Sequence, residues 1–227
     1  MKPQPEWGAK LALSCSLVLL GVVLAVYAIV GYIRLDLPFP IGLVVVPIDE
    51  VVLLAIVLLF ARYKGASLKN LGLKKASPRI LAIVSVAVVP LYLLGVGIVS
   101  VLTIVFGPSP IAEAYAEAVM PRDAFQLTAF IVISLVLVGP IEELAFRGFV
   151  QKGFENSLGK MRGLLIASFL FGLMHITASQ YNVVTAFAGG IVLGYVWQET
   201  SGNTTASAVM HGIFNAIAFI LAYFITA

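Results

Sequence analysis

The sequence predicts an all-α fold, a polytopic bundle of about seven transmembrane helices, within a range of six to eight. Of the 227 residues, 61% are hydrophobic and only 11% are charged, whereas a soluble domain has about a quarter charged residues. The apolar residues form continuous runs of roughly the 20 residues that a spanning helix needs. They do not alternate with polar residues, which excludes the strands of a membrane β-barrel.

Seven segments are predicted to span the membrane, and no linker or repeat divides them, so residues 1–227 are treated as a single membrane domain. The segments lie near 10–33, 41–62, 80–106, 124–155, 163–178, 182–199 and 204–225. The first is too long for the apolar core of a signal peptide, so it is predicted to stay in the mature protein. The third contains Pro90, which predicts a kink or tilt. The fifth is short, so it is expected to tilt or to end at a buried cavity. The N-terminal spans cover about 10–106, and the motif-bearing core covers about 124–225.

The charges between the spans predict the orientation. The stretch 62–79 carries six basic and no acidic residues, whereas 107–123 is acidic and 152–162 is basic again. Basic loops stay in the cytoplasm. Together with Lys2 and Lys10, they predict a cytoplasmic N-terminus and an external C-terminus, in the plasma membrane if the cell is prokaryotic. Membrane lipid is therefore a partner, and the small net charge of +3 does not favour nucleic acid.

The second predicted span contains two carboxylates, Asp49 and Glu50, and two interpretations are open. The favoured one begins a short helix there, with Asp49 as its N-cap and Glu50 at its positive end. The other places both carboxylates within the membrane as part of a functional site. The favoured interpretation has one difficulty, because residues 51–61 alone are too short to cross a bilayer.

Ionisable residues inside spans are costly and mark functional cavities, and the fourth span holds three of them. Glu143 and Arg147 are four residues apart, so on a helix they share a face and can pair. Glu142 is rotated by about 100° from Glu143, so it can point elsewhere. The segment therefore contains one carboxylate committed to an ion pair and one that is available for chemistry. An ion network without a catalytic role is the alternative for this segment alone.

Three more polar residues lie in later spans: His175 in the fifth, and His211 and Asn215, four residues apart, in the seventh. Taken singly, each is explained by helix packing, since polar side chains hold spanning helices together. Counted from the inner helix ends, however, both His residues reach the same depth as Glu142. We therefore predict a polar catalytic cavity in the cytoplasmic half of the bilayer.

These side chains suit hydrolysis of a peptide bond. Glu142 is the expected general base that takes a proton from water, and His175 would share that water and protonate the leaving amine. His211 and Asn215 would donate hydrogen bonds to the developing oxyanion, while Arg147 would hold the shape of the cluster. A competing interpretation makes Glu142, His175 and His211 ligands of a zinc ion (Zn²⁺). A cysteine or serine nucleophile is disfavoured, since Cys15 is remote in sequence and no serine elbow is present.

Three motifs in succession resemble the CAAX-protease and bacteriocin-processing family, which includes the type II CAAX prenyl endopeptidases and the abortive-infection proteins. The family pattern E-E-x-x-x-R appears as Glu142–Arg147, F-x-x-x-H as Phe171–His175, and H-x-x-x-N as His211–Asn215. The likeness covers residues 139–217. It implies that Glu142 and His175 activate water, that Glu143 and Arg147 support them, and that His211 and Asn215 form the oxyanion site.

The resemblance also implies a substrate class, namely a peptide or protein that is prenylated in eukaryotic members of the family. The resemblance leaves open whether the hydrolysis needs a metal. Two other functions are weighed against the protease. A membrane binding or scaffold protein would use the same polar cluster to dock a partner. A small transporter would use the intramembrane carboxylates as an ion path, although the inverted repeats typical of transporters are not seen.

Overall fold

The computed structural model describes residues 6–33 and 37–226, and within them it contains helices and no strand. The predicted all-α fold is therefore confirmed. Lys2, which contributed to the predicted orientation, lies outside the described residues. The helices are α1 (Ala9–Ile33), α2 (Gly42–Tyr63), α3 (Pro78–Phe106), α4 (Pro110–Val119), α5 (Ala124–Leu158), α6 (Lys160–Met174), α7 (Gln180–Glu199) and α8 (Thr204–Thr226). A single 3₁₀ turn, His175–Thr177, follows α6.

Five of the described helices are long and apolar enough to cross a membrane: α1, α2, α3, α5 and α8. The predicted fifth and sixth spans correspond to α6 and α7, which are not among these five. With 15 residues, α6 is only about 22 Å long, less than the roughly 30 Å of a bilayer core. It ends at Met174, beside the cavity described below. The total of seven spans stays a prediction.

The second span differs from the favoured interpretation of Asp49 and Glu50. Helix α2 begins at Gly42, and its N-cap position is Ile41, which makes no side-chain cap. The prediction that Asp49 caps the helix is therefore wrong. The physical reason is length, because 22 residues give about 33 Å of helix, enough to cross a bilayer core, whereas a helix starting at Asp49 is too short. Both carboxylates lie within a candidate membrane span.

Two segments of α5 are wound as π-helix: Ser134–Val138 and Leu144–Gln151. Pro140 lies two residues after the end of the first of them and has no N–H to donate to a carbonyl one turn earlier, so the regular helical ladder is interrupted there. π-Helical turns within α-helices are frequent at functional sites. Here they flank the short α-helical stretch that carries Glu142 and Glu143.

Glycines bring α5 and α8 into backbone contact at the level of these glutamates. A Cβ on Gly139 would lie 2.7 Å from the carbonyl oxygen of Ala208 and 2.8 Å from the nitrogen of Gly212. Such close approach between membrane helices requires residues without side chains. It places residue 143 of α5 next to residue 211 of α8. Helices α6 and α7 approach similarly, since a Cβ on Gly172 would lie 2.7 Å from the carbonyl oxygen of Val183.

Four segments meet at one end of the bundle: the N-terminal residues before α1, the loop 64–77, the end of α5 and the α7–α8 turn. Lys152 Nζ donates to the carbonyl oxygen of Asn70 at 2.8 Å, and Thr204 Oγ1 donates to that of Leu71 at 2.6 Å. Trp7 Nε1 donates to the carbonyl oxygen of Phe149 at 2.7 Å. These segments and the helix ends beside them carry the described basic residues on which the predicted cytoplasmic face rests. We call this the basic end.

Candidate active site

Glu143 and Arg147 form a fully buried ion pair on α5. Arg147 Nε donates to Glu143 Oε2 at 3.0 Å, and both side chains are 0% exposed. The other oxygen, Oε1, lies 3.2 Å from His211 Nδ1. Because a carboxylate only accepts hydrogen bonds, Nδ1 of His211 carries the proton in this contact. Glu143 thus links the arginine one turn along its own helix to the imidazole of α8.

Glu142, the neighbouring residue, points in a different direction. Its Oε2 lies 3.9 Å from His211 Nε2, and its side chain is 16% exposed. It lines an internal cavity of about 440 Å³ together with His175, His211 and Asn215. Glu143 and Arg147 do not line this cavity. The structure therefore brings the predicted residues together in two layers, with His211 between the two glutamates.

Phe171 organises the cluster. Its ring centre lies 4.8 Å from that of His175 and 5.8 Å from that of His211. The guanidinium carbon of Arg147 lies 5.0 Å from the same ring centre, a cation–π geometry. This contact matters because Nη1 and Nη2 of Arg147 have no hydrogen-bond partner among the described residues.

His175 is oriented by its own helix. Its Nδ1 lies 2.9 Å from the carbonyl oxygen of Phe171, and a carbonyl only accepts, so Nδ1–H is the donor. A neutral His175 then has its lone pair on Nε2. The sharp end of α6 and the 3₁₀ turn that begins at His175 place this ring at the wall of the cavity. The structure shows no direct hydrogen bond between His175 and Glu142.

The cavity extends away from the basic end. Its wall includes residues of α4 and of the chain that follows it (Tyr115, Ala116, Val119 and Met120), as well as Ala222 near the end of α8. No described residue of the loop 64–77 or of the α7–α8 turn contributes to it. Along α8, His211 itself is nearer the basic end than the other end. The polar groups therefore form the inner floor of a cavity that leads toward α4, a direction that the sequence did not indicate.

The glycines of the sixth predicted span, α7, have two roles. Gly190 and Gly194 allow close packing, since a Cβ on Gly190 would lie 3.1 Å from Ser168 Cβ, and one on Gly194 would overlap Leu164. Gly189 has open space beside it and lines the cavity.

The site prediction did not include several polar residues of the cavity: Tyr27, Asp49, Glu50, Tyr115 and Asn182. The signal for Asp49 and Glu50 was present, as two carboxylates in an apolar run. Tyr115 lies in the short helix α4, where burial, aided by the charge of Glu142, raises the pKa of its hydroxyl to about 12. Tyr115 therefore stays protonated at neutral pH and serves the cavity as a hydrogen-bonding group.

The zinc alternative does not fit this geometry. Among residues 6–33 and 37–226, no three His, Cys, Asp or Glu side chains are grouped closely enough to hold a metal ion. Glu142, His175 and His211 line one cavity, but the three side chains do not converge on a common point as metal ligands would. The side chains are arranged as hydrogen-bonding groups around a cavity, and a metalloprotease site is not supported.

Residues 124–217 match the family model described as "Type II CAAX prenyl endopeptidase Rce1-like". This segment is similar to that family. It runs from the start of α5 into α8, contains all six predicted site residues, and confirms the resemblance noted from the motifs. Residues 1–123 lie outside the match, although they supply part of the cavity wall. Comparisons of the chain with curated proteins and with solved structures found no match.

Proposed function

We propose that this membrane protein is a CAAX-type intramembrane endopeptidase that cleaves a membrane-anchored substrate through water activated by Glu142. The substrate is a lipid-anchored or membrane protein, cut near its C-terminus or in a juxtamembrane segment. The observation that carries the proposal is the position of His211. Its ring lies 3.2 Å from Glu143 on one side and 3.9 Å from Glu142 on the other, at the floor of a cavity to which the segment similar to a protease family contributes Glu142 and His211.

Glu142 acts as general base in this mechanism. Its carboxylate takes a proton from water while the water oxygen bonds to the carbonyl carbon of the peptide, and the carbonyl π electrons move to oxygen. The carbon–nitrogen bond then breaks, and the proton passes to the leaving nitrogen from Glu142 or through Nε2 of His175. The products are a carboxylate and an amine, so no group beyond water is required.

His211 and Asn215 stabilise the negative oxygen of the tetrahedral intermediate. Since Nδ1–H of His211 is directed to Glu143, donation to the oxyanion requires a second proton, on Nε2. An imidazolium at this position is favoured by carboxylates on both sides, at 3.2 and 3.9 Å. Asn215 lies one helical turn further along α8, lines the same cavity and supplies an uncharged donor.

Glu143 and Arg147 act as positioning residues and never touch substrate. Two carboxylates, Glu142 and Glu143, balance the guanidinium of Arg147 and the imidazolium of His211, so the buried cluster has no net charge. This balance matters because an uncompensated charge inside a helix bundle costs several kcal/mol. The same four groups hold the imidazole at a fixed angle to the base.

The decisive experiment is cleavage by the purified full-length protein. A panel of quenched fluorescent peptides would include farnesylated CaaX peptides, acylated peptides and unlipidated juxtamembrane segments. We expect at least one to be cleaved, and Glu142→Gln to lower kcat by about 10²–10⁴-fold. Glu117→Gln, at an exposed glutamate of α4, is the matched control and should leave the rate unchanged.

Two results would contradict the proposal. One is a folded Glu142→Gln variant that cleaves as fast as the wild type. The other is a folded wild-type protein that cleaves no peptide but captures a partner equally well with or without Glu142→Gln and His175→Ala, which would favour a binding or scaffold protein. Cleavage in the presence of a metal chelator tests metal dependence separately, and we expect the chelator to leave the cleavage rate unchanged.

Orientation is a second part of the proposal that needs measurement. The charge rule puts the basic end in the cytoplasm, yet the cavity extends toward α4, at the opposite end. A cytoplasmic substrate requires the α4 end of the bundle to face the cytoplasm, whereas the charge rule requires the basic end to face it. We expect the charge rule to hold, so that Ser67→Cys reacts with a membrane-impermeant thiol reagent only after cell lysis, whereas Glu113→Cys reacts in intact cells. Cys15 is 0% exposed, so the wild type provides the background; the reverse pattern would place α4 in the cytoplasm.

A further inference from the structure

Glu50 is a buried carboxyl group that the mechanism above does not use. It lies on α2, outside the segment that matches the family. Its side chain is 4% exposed, it lines the cavity, and its Oε2 has no hydrogen-bond partner among the described residues. Glu142 lines the same cavity, its charge acts on the carboxyl group of Glu50, and its Oε2 also has no hydrogen-bond partner.

The surroundings of this carboxyl pair contain no cation from a long side chain. The groups that act on Glu50 are Glu142 from α5, Asp49 from its own helix and Tyr115 from α4. Tyr27 of α1 acts on Asp49 and Glu142 from the same side of the cavity. Within the described part of the chain, no Lys or Arg lines the cavity. The imidazole of His211 reaches Glu142, at 3.9 Å, from the other side.

Two buried carboxyl groups that face one largely apolar cavity and act on each other cannot both be ionised without repulsion. The arrangement that avoids this cost is one shared proton, with the protonated group donating a hydrogen bond to the ionised one. Glu142 has His211 beside it as a positive partner, whereas Glu50 has none. The proton therefore belongs on Glu50 and the negative charge on Glu142.

We propose that Glu50 is a positioning residue that holds this shared proton and donates it, as a hydrogen bond, to Glu142 while Glu142 acts as base. The inference rests on the proposed endopeptidase function. It assigns α2 a role in the reaction, because Glu50 fixes one oxygen of Glu142 and leaves the other to face water. It also gives a reason why the carboxyl group of Glu50 is kept inside a candidate membrane span, where inserting it has a high energetic cost.

Infrared spectroscopy of the purified full-length protein tests the shared proton without any substrate. We expect the wild type at neutral pH to show the carbonyl stretch of a protonated carboxylic acid. Glu50→Gln should remove this band, whereas Asp49→Asn and Glu117→Gln should retain it. A band that survives in Glu50→Gln, or that disappears in Asp49→Asn instead, would overturn the proposal. Because this measurement does not need cleavage, it still decides about Glu50 if the proposed function fails.

The pH dependence of cleavage tests the positioning role. In the wild type, kcat should fall at the pH where the shared proton dissociates, because the hydrogen bond to Glu142 is then lost. Glu50→Gln keeps a donor that does not titrate, so its kcat should not show that fall with pH. Glu50→Leu has no donor, so its kcat should be about tenfold lower at every pH with KM unchanged. Equal pH profiles for wild type and Glu50→Gln, or an unchanged kcat in a folded Glu50→Leu variant, would overturn the proposal.

Discussion

Glu142 and Glu143 are adjacent in the chain but belong to two regions of the molecule. Glu143 lies with Arg147 in a sealed layer, where both side chains are 0% exposed. Glu142 lines the cavity, whereas Glu143 and Arg147 do not. The comparison teaches that residue type does not decide between structure and chemistry. Charge compensation and access to a cavity decide which role a glutamate can have, and both differ between the neighbouring residues Glu142 and Glu143.

The largest effect is expected from breaking the sealed layer. Arg147→Leu leaves Glu143 buried with only His211 to compensate it, and the loss of one partner from a buried ion pair costs about 3–5 kcal/mol. The measurement is the free energy of unfolding in detergent, with Arg162→Leu as control because Arg162 is exposed. The double variant Glu143→Leu/Arg147→Leu should recover part of the loss. If Arg147→Leu and Arg162→Leu have the same free energy of unfolding, the sealed layer does not stabilise the fold.

A smaller effect, on rate, is expected from changing the glutamate itself. Glu143→Gln keeps a side chain of the same size but removes the charge that supports a protonated His211, so kcat should fall by about 10²-fold, as for loss of an oxyanion donor. KM should not change, because Glu143 does not reach the cavity. Glu143→Asp should restore part of the rate. A fall in binding instead of kcat would mean that Glu143 shapes the substrate site directly.

The sequence predicted the pairing of Glu143 with Arg147, and the residues on the Glu142 side of the cavity, from local rules. The spacing of four residues between Glu143 and Arg147 specifies an ion pair on any helix, and the π-helical turns around these residues do not disturb it. The approach of His211 depended on glycines at 139 and 212, whose meaning appears only when the two helices are paired. The motifs indicated that the groups converge, but not which nitrogen of each imidazole faces which partner.

The opposite wall of the cavity could not be predicted in the same way. Asp49 is separated by more than 90 residues from Glu142, and hydropathy alone does not say which helices are neighbours. The capping interpretation failed because a local rule for carboxylates was applied where the length of a spanning helix was decisive. The direction of the cavity depends on α4, a short helix without a motif, whose place beside α2 is a tertiary contact.

The smallest effect is expected where the two regions meet, at Phe171. Its ring touches the guanidinium of Arg147 in the sealed layer and both imidazoles at the cavity. Phe171→Leu keeps an apolar side chain, so the stability loss should be about 1 kcal/mol. The loss of ring contacts on three charged or titratable groups should still lower kcat severalfold. The matched control is Phe169→Leu on the same helix, since Phe169 is 54% exposed and faces away from the cluster. If both variants lose stability and rate equally, Phe171 is a packing residue only. A rate loss confined to Phe171→Leu would show that the sealed layer and the cavity are mechanically coupled through this ring.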